Sequence, residues 1–184
     1  VIDRTLITEH HGLEELASYN LAMIALTPIH MLMSATQIAW APHLFSLNSF
    51  QLALKQTINI MKISFFVMIA GTAVVSALLH LSINYGFISQ EYNSVPKIII
   101  YASFGVIASS LIHLNSNMFV HINKTHYQLF VGVIILAINW MFNILLIPKY
   151  SFYGAAIAAG TANTIGLIVG LGLLYIILRK LKYA

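Results

Sequence analysis

The sequence contains no cysteine and very little charge. Without cysteine, the chain can form neither disulfides nor thiolate metal sites. Asp, Glu, Lys and Arg make up 8% of its 184 residues, whereas soluble domains carry about 25%. Apolar side chains account for 59% of the residues, and the mean hydropathy is +0.85. A soluble domain of this size cannot bury so much apolar surface, so we expect the chain to lie in a lipid bilayer.

Motifs for catalysis or cofactor binding are missing as well. The eight histidines form no His-x-x-x-His box and no His-Glu-x-x-His motif. The sequence has no motif for a Ser-His-Asp triad and no glycine-rich phosphate loop. It also has no basic patch with interleaved aromatic residues, as nucleic-acid binding would need. We therefore expect no enzymatic activity, no metal, no cofactor and no nucleic-acid partner.

The beginning of the chain indicates a piece of a longer protein. It starts at Val1 rather than Met. No basic segment precedes a short apolar core and a small-residue cleavage site, so we expect no signal peptide.

Long apolar segments predict five transmembrane helices. A membrane-spanning helix needs about 20 apolar residues, and five segments of that length contain no Asp, Glu, Lys or Arg. The fold class is therefore all-α integral membrane, and no segment within residues 1–184 is typical of a soluble domain. The predicted spans lie near residues 16–38, 63–83, 98–120, 129–147 and 154–178.

The distribution of charge predicts the orientation. If the N-terminus lies outside and the C-terminus in the cytoplasm, six of the nine basic residues and none of the acidic ones face inward. That arrangement obeys the positive-inside rule. The inner basic residues are Lys55, Lys62, Lys124, Arg179, Lys180 and Lys182.

The segment between the first two spans has an amphipathic pattern. Near residues 44–62, polar and apolar side chains recur on opposite faces at helical spacing. This pattern predicts an interfacial helix on the cytoplasmic leaflet, with Lys55 and Lys62 toward lipid phosphates. The alternative is that the segment extends the second span.

Polar side chains recur inside four of the five spans at steps of three and four residues, which places them on one face of each helix. Polar groups are costly in hydrocarbon, so such faces should meet other helices or a watery lumen. Both interpretations stay open: hydrogen bonds between packed helices, or a shared lumen in which His30 and His113 could change charge. The lumen candidates are His30 and Gln37, His113 and Asn117, Asn139 and Asn143, and Asn163.

Three stretches carry a family resemblance: "DRTLI" followed by "ASYNLAMIAL", then "AWAPHLF", and above all "NILLIPKYSFYGAAIAAGTAN" at residues 143–163. Together they resemble the C-terminal half of Wzx-type polysaccharide flippases of the MOP exporter superfamily. The stretch at residues 143–163, which corresponds to the last helical hairpin of that family, is the most specific part of the resemblance. Ser151 stands where the family pattern usually has glycine, and Ala159 where it usually has threonine.

The resemblance implies a MATE-like transporter with two lobes around a central cavity, of which this chain supplies five helices of the second. Such proteins flip undecaprenyl-pyrophosphate-linked oligosaccharides across the bacterial inner membrane, for surface polysaccharides such as the O-antigen of lipopolysaccharide. The implied partners are this substrate, membrane lipids, the N-terminal lobe and other polysaccharide-assembly proteins. Because the family's cavity is often cationic, Arg4 becomes a candidate substrate contact, with Lys62 at the inner mouth. A structural Asp3–Arg4 pair is the alternative.

Other functions remain possible at this point. A MATE-type multidrug or cation exporter of the same superfamily usually carries ionisable residues in its spans, and these spans contain no Asp or Glu. A membrane enzyme of polysaccharide assembly tends to have a large outer loop with catalytic arginines, whereas residues 84–97 are short and lack arginine. A non-transporting scaffold would have no need of four polar stripes.

Overall fold

The protein is built entirely of helices in the part that the structure describes. This computed structural model describes residues 2–182, except for the side chains of residues 178 and 180–182. The side chains of Lys180 and Lys182, assigned above to the inner side, therefore lie outside the described residues. The six α-helices, joined by short linkers, are α1 Ile2–His11, α2 Leu13–Ala25, α3 Thr27–Phe45, α4 Phe50–Asn84, α5 Val95–His121 and α6 Thr125–Lys182. The predicted all-α membrane fold is confirmed.

The first span is bent near its middle. Helices α2 and α3 meet at Leu26, and the sequence continues with Thr27 and Pro28. Proline lacks a backbone N–H and its ring crowds the preceding turn, so it interrupts the hydrogen-bond ladder. Together the two helices form an apolar stretch from Leu13 to Phe45 that is long enough to cross a membrane. The bend, which was not predicted, lies one turn before His30.

The second span and the segment before it form one helix. Helix α4 runs without interruption for 35 residues from Phe50 to Asn84, which corresponds to a length of about 52 Å. It begins where the hydroxyl of Ser49 accepts a hydrogen bond from the backbone N–H of Leu52. No glycine or proline follows until Gly71, so nothing separates residues 50–62 from the span. The structure thus differs from the separate helix predicted near residues 44–62, and shows the extension of the second span.

Helix α6 is a hairpin of two arms. Its backbone leaves helical geometry at Ser151, with φ 51° and ψ −134°. A Cβ atom added to Gly154 would fall on the backbone of Leu146, and one added to Gly166 would fall on the side chain of Ile135. Both pairs of contacting residues are centred near residue 150, which means that the arms run antiparallel. The apolar stretch from Thr125 to Ile177 therefore crosses the bundle twice.

Helix α5 occupies the centre of the bundle. In its most apolar stretch 72% of the residues are buried, compared with 17–22% in the other long helices. It packs against α2, α3, α4 and α6. Helix α1 is held to the hairpin by His11, whose Nε2 donates to the carbonyl oxygen of Ile147 at 2.8 Å. Four long apolar helices, one of them doubled back, make this a multi-pass membrane protein.

Candidate functional site

Two small cavities lie beside the middle of α5. The first, which we call the His30 cavity, has a volume of about 150 Å³ and lies between α2, α3, α5 and the second arm of α6. The second, the His113 cavity, has a volume of about 220 Å³ and lies between α5 and the two arms of α6. The polar residues that line them are Tyr19, His30, Ser109 and Asn163 in the first, and Ser109, His113, Ser116, Gln128 and Asn163 in the second.

Ser109 and Asn163 line both cavities and so mark the place where they adjoin. The Ser109 hydroxyl donates to the carbonyl oxygen of Val106 at 3.0 Å. The amide nitrogen Nδ2 of Asn163 donates to the carbonyl oxygen of Gly105 at 3.3 Å. A Cβ atom at Gly105 would lie 3.3 Å from the backbone nitrogen of Gly160, so the absence of a side chain there lets the two helices approach closely.

The two histidines approach this junction from different helices. His30 on α3 is half-buried, whereas His113 on α5 is exposed. His30 lines the first cavity and His113 lines the second, so each lies beside the two residues that the cavities share. Of the predicted lumen residues, His30, His113 and Asn163 are brought together in this way.

The other predicted lumen residues lie outside the linings of these cavities. Asn143 is buried and donates through Nδ2 to Oδ1 of Asn139 at 2.7 Å, one turn earlier on the same helix. Gln37 and Asn117 are half-buried on α3 and α5. The asparagine pair therefore satisfies part of its own hydrogen-bonding capacity instead of facing these cavities.

The basic candidates are also at a distance from the cavities. Arg4 is exposed on α1 and borders a shallow surface with Thr5, Thr8 and Glu9. Lys55 and Lys62 are exposed on α4. Among the residues that line the two cavities, none carries a side-chain charge at neutral pH apart from what the histidines can acquire. The site therefore lacks the positive charge that the family resemblance implies.

Asp3 is linked to the cavity through a tyrosine. The Tyr19 hydroxyl donates to Oδ2 of Asp3 at 2.8 Å. Burial raises the pKa of the Asp3 carboxyl, whereas hydrogen bonds to the carboxylate, that of Tyr19 foremost, lower it. As a net result, this pKa lies below its ordinary value. The carboxylate that was considered as a partner of Arg4 thus anchors α1 to α2.

Sequence reasoning missed several residues of this site. Ser109 and Ser116 line the cavities, but of the residues on this span only His113 and Asn117 were predicted to face a lumen. Ser109, His113 and Ser116 follow one another at steps of four and three residues, and this spacing would have identified the face of α5 that lines the cavities. Tyr19, which lines the His30 cavity, was not among the predicted lumen residues either.

Asn115, next to the site, was also missed. It is buried, and its Oδ1 atom has no hydrogen-bond partner among the residues described. A Cβ atom at Gly170 would fall 2.5 Å from its Nδ2, so the glycine gives this amide its space. The Asn115 amide fits here because it packs against Gly170, which has no side chain. The spacing of residues along α5 does not reveal this contact.

The arrangement can bind through hydrogen bonds. Within residues 2–182, no three side chains of the His, Asp and Glu types converge as metal ligands would. The cavities instead offer hydroxyl, amide and imidazole groups inside an otherwise apolar bundle. No family model matches the chain, and no curated protein or solved structure was found to be similar to it.

Proposed function

We propose that the chain is part of a membrane transporter that flips undecaprenyl-pyrophosphate-linked oligosaccharides for surface polysaccharide biosynthesis. The observation that carries the proposal is the meeting of His30, Ser109, His113 and Asn163 around two adjoining cavities. The resemblance of the last hairpin to Wzx-type flippases gives the substrate class. The protein works by moving its cargo without transforming it chemically.

The depth of the cavities supports transport over a purely structural role. Ser109 lies near the middle of α5, and Asn163 lies near the middle of the second arm of α6. Polar groups at this depth are costly unless they meet partners or water. Simple helix packing would leave no space beside these groups, whereas here both residues border open volume in addition to their hydrogen bonds.

The proposed setting follows from charge and from the resemblance. The protein lies in the bacterial inner membrane with the N-terminus of this chain outside and its C-terminus in the cytoplasm. Lys55 and Lys62, which are exposed on α4, then face the inner leaflet, where anionic lipids attract basic residues. An N-terminal lobe completes the transport path, and other polysaccharide-assembly proteins receive the cargo.

A cation exporter of the same superfamily is the second candidate. The Asp3 carboxylate is hydrogen-bonded to the hydroxyl of Tyr19, which lines the His30 cavity. A negative charge behind the cavity would favour a cationic cargo. This candidate predicts that loss of the protein makes cells sensitive to cationic drugs and leaves surface polysaccharide unchanged.

Deletion of the gene for the full protein tests the proposal. The deletant should accumulate lipid-linked repeat units that a membrane-impermeant sugar-oxidising reagent cannot reach in intact spheroplasts. Complementation should restore their exposure and the surface polysaccharide. Normal surface polysaccharide in a deletant with no second transporter of this kind would contradict the proposal.

Cysteine accessibility tests the polar path itself, and within residues 1–184 no native cysteine competes with an introduced one. Ser109→Cys and Ser116→Cys in the full protein should react with a water-soluble methanethiosulfonate reagent. Asn143→Cys, buried on α6, is the control and should react at least tenfold more slowly. Equal and slow reaction at all three positions would show that no watery path reaches the cavities.

A further inference from the structure

The hydrogen bonds around the His30 cavity leave it rich in acceptors. The Tyr19 hydroxyl donates its only proton to the Asp3 carboxylate, and the Ser109 hydroxyl donates its only proton to the carbonyl oxygen of Val106. The carbonyl oxygen of Gly105 can only accept, so Asn163 turns its nitrogen toward that backbone and its Oδ1 the other way. The oxygen atoms of all three residues retain lone pairs that can accept hydrogen bonds from a ligand.

No residue of the cavity lining carries a fixed charge, and Asp3 lies behind Tyr19 rather than in the lining. Besides the three acceptor residues and His30, the lining consists of Met23, Val106 and the small residues Ala102, Gly105, Ala156 and Ala159. A neutral histidine provides one donor and one acceptor. An anionic group, which needs donors or positive charge, would therefore meet mainly oxygen lone pairs.

The volume of the cavity limits what can enter it. About 150 Å³ holds roughly five water molecules at ~30 Å³ each, which is the scale of one sugar ring with its hydroxyl groups. A ligand that brings many hydroxyl donors and no charge matches this lining best.

We infer that the His30 cavity binds a single neutral sugar ring of the cargo by accepting hydrogen bonds from its hydroxyl groups, and that the anionic pyrophosphate is held elsewhere. This inference rests on the proposed function and specifies which part of the cargo this site recognises. The acceptors are Tyr19 Oη, Ser109 Oγ and Asn163 Oδ1. The apolar and small residues between them provide a surface on which the ring can lie.

Binding of three matched probes to the full protein in nanodiscs tests the inference. Geranyl β-glucoside, geranyl β-glucuronide and geranyltrimethylammonium share one tail and differ in carrying a neutral, an anionic or a cationic head. The glucoside should bind at least tenfold more tightly than either charged probe. Tighter binding of the glucuronide or of the ammonium probe, equal binding of all three, or no binding of any of them would overturn the inference.

Two serines on α5 provide a matched pair of variants. Ser109→Ala should weaken binding of the glucoside about 2- to 12-fold, the usual net effect of one neutral hydrogen bond. Ser103→Ala is the control, because Ser103 also donates to a carbonyl three residues earlier, that of Ile100, but lies on the α4 side of the helix. Equal effects of the two substitutions would show that Ser109 does not contact the sugar.

A third variant should reverse the preference between the neutral and the cationic probe. Asn163→Asp places a negative charge at the junction of the cavities and should favour the ammonium probe over the glucoside. An unchanged preference would count against a ligand at this residue. A flipping assay in cells distinguishes failure of the inference from failure of the proposed function. If the protein transports its cargo but the probes do not bind in this pattern, only the inference is refuted. If the protein does not transport, the proposed function is refuted.

Discussion

Helices α4 and α5 are both long and apolar, yet one faces its surroundings and the other is enclosed. In the most apolar stretch of α4, 17% of the residues are buried, compared with 72% in that of α5. Phe66 on α4 is largely exposed, whereas Leu114 and Met118 on α5 are fully buried. Lipid tails are as apolar as a protein core, so hydropathy does not separate a lipid-facing helix from a central one. The difference arises from close packing.

The largest expected effect distinguishes glycines on these two helices. At Gly105 a Cβ atom would lie 3.3 Å from the backbone nitrogen of Gly160, whereas at Gly71 it would lie 3.7 Å from the side chain of Ile29. Gly105→Ala should lower the free energy of unfolding by about 2 kcal/mol, since α6 must move away. Gly71→Ala should raise it by about 0.5–1 kcal/mol through helix propensity. Unfolding in mixed micelles measures both changes in the free energy of unfolding. If the two substitutions change it in the same direction, α4 and α5 do not differ in packing as described.

The next prediction concerns the hydrogen bond between Tyr19 and Asp3 beside α5. Tyr19→Phe should cost about 1.5 kcal/mol, near the low end for a hydrogen bond to a charged group because Asp3 is partly exposed. The lowered pKa of Asp3 means that its stabilising effect is present above the unfolded-state pKa, about 3.9. The effect is then lost as the pH falls through the folded-state pKa. Tyr19→Phe should therefore show a shallower loss of stability below pH 4, and parallel pH profiles would contradict this account.

A smaller effect is expected from a hydroxyl on α4. Thr72 is buried, and within the described part of the chain its Oγ1 has no hydrogen-bond partner. Thr72→Val keeps the shape and removes the unsatisfied hydroxyl, so stability should rise by about 1 kcal/mol. A clear loss of stability in detergent would mean that this hydroxyl has a partner.

The smallest effect concerns a hydrogen bond between α4 and α5, in which the Ser76 hydroxyl donates to the carbonyl oxygen of Pro96 at 3.2 Å. Ser76→Ala should cost about 0.6 kcal/mol, the average for hydrogen bonds between membrane helices. A cost above 2 kcal/mol would make polar contacts, rather than close packing, the main support of this interface.

The extent to which sequence predicted the structure differs from feature to feature. The helical membrane class followed from apolar runs without charge, and the predicted gap between the spans at 129–147 and 154–178 contains Ser151, where the backbone leaves helical geometry. The continuous helix from Phe50 to Asn84 was weighed only as an alternative. Helical periodicity does not reveal whether a polar face lies on a surface or continues into a span, because the local pattern is the same in both.

The site was predicted in part, and the reason lies in helix rotation. His30, His113 and Asn163 do line the cavities, but Asn117 was predicted on α5 where Ser109 and Ser116 line them. Neighbouring residues on a helix point about 100° apart, so an error of one residue moves a side chain to a different neighbour. Spacing identifies a polar face, but it does not identify the helix that the face meets.

The sequence by itself determined that this protein crosses a membrane as apolar helices. That property is a sum over residues, and backbone hydrogen bonding in lipid leaves few other structures possible. The tertiary structure decided that α5 lies at the centre and that Ser109 and Asn163 meet at the junction of two cavities. Such meetings depend on how each helix is rotated and on close approach at residues such as Gly105, which only the packed bundle specifies.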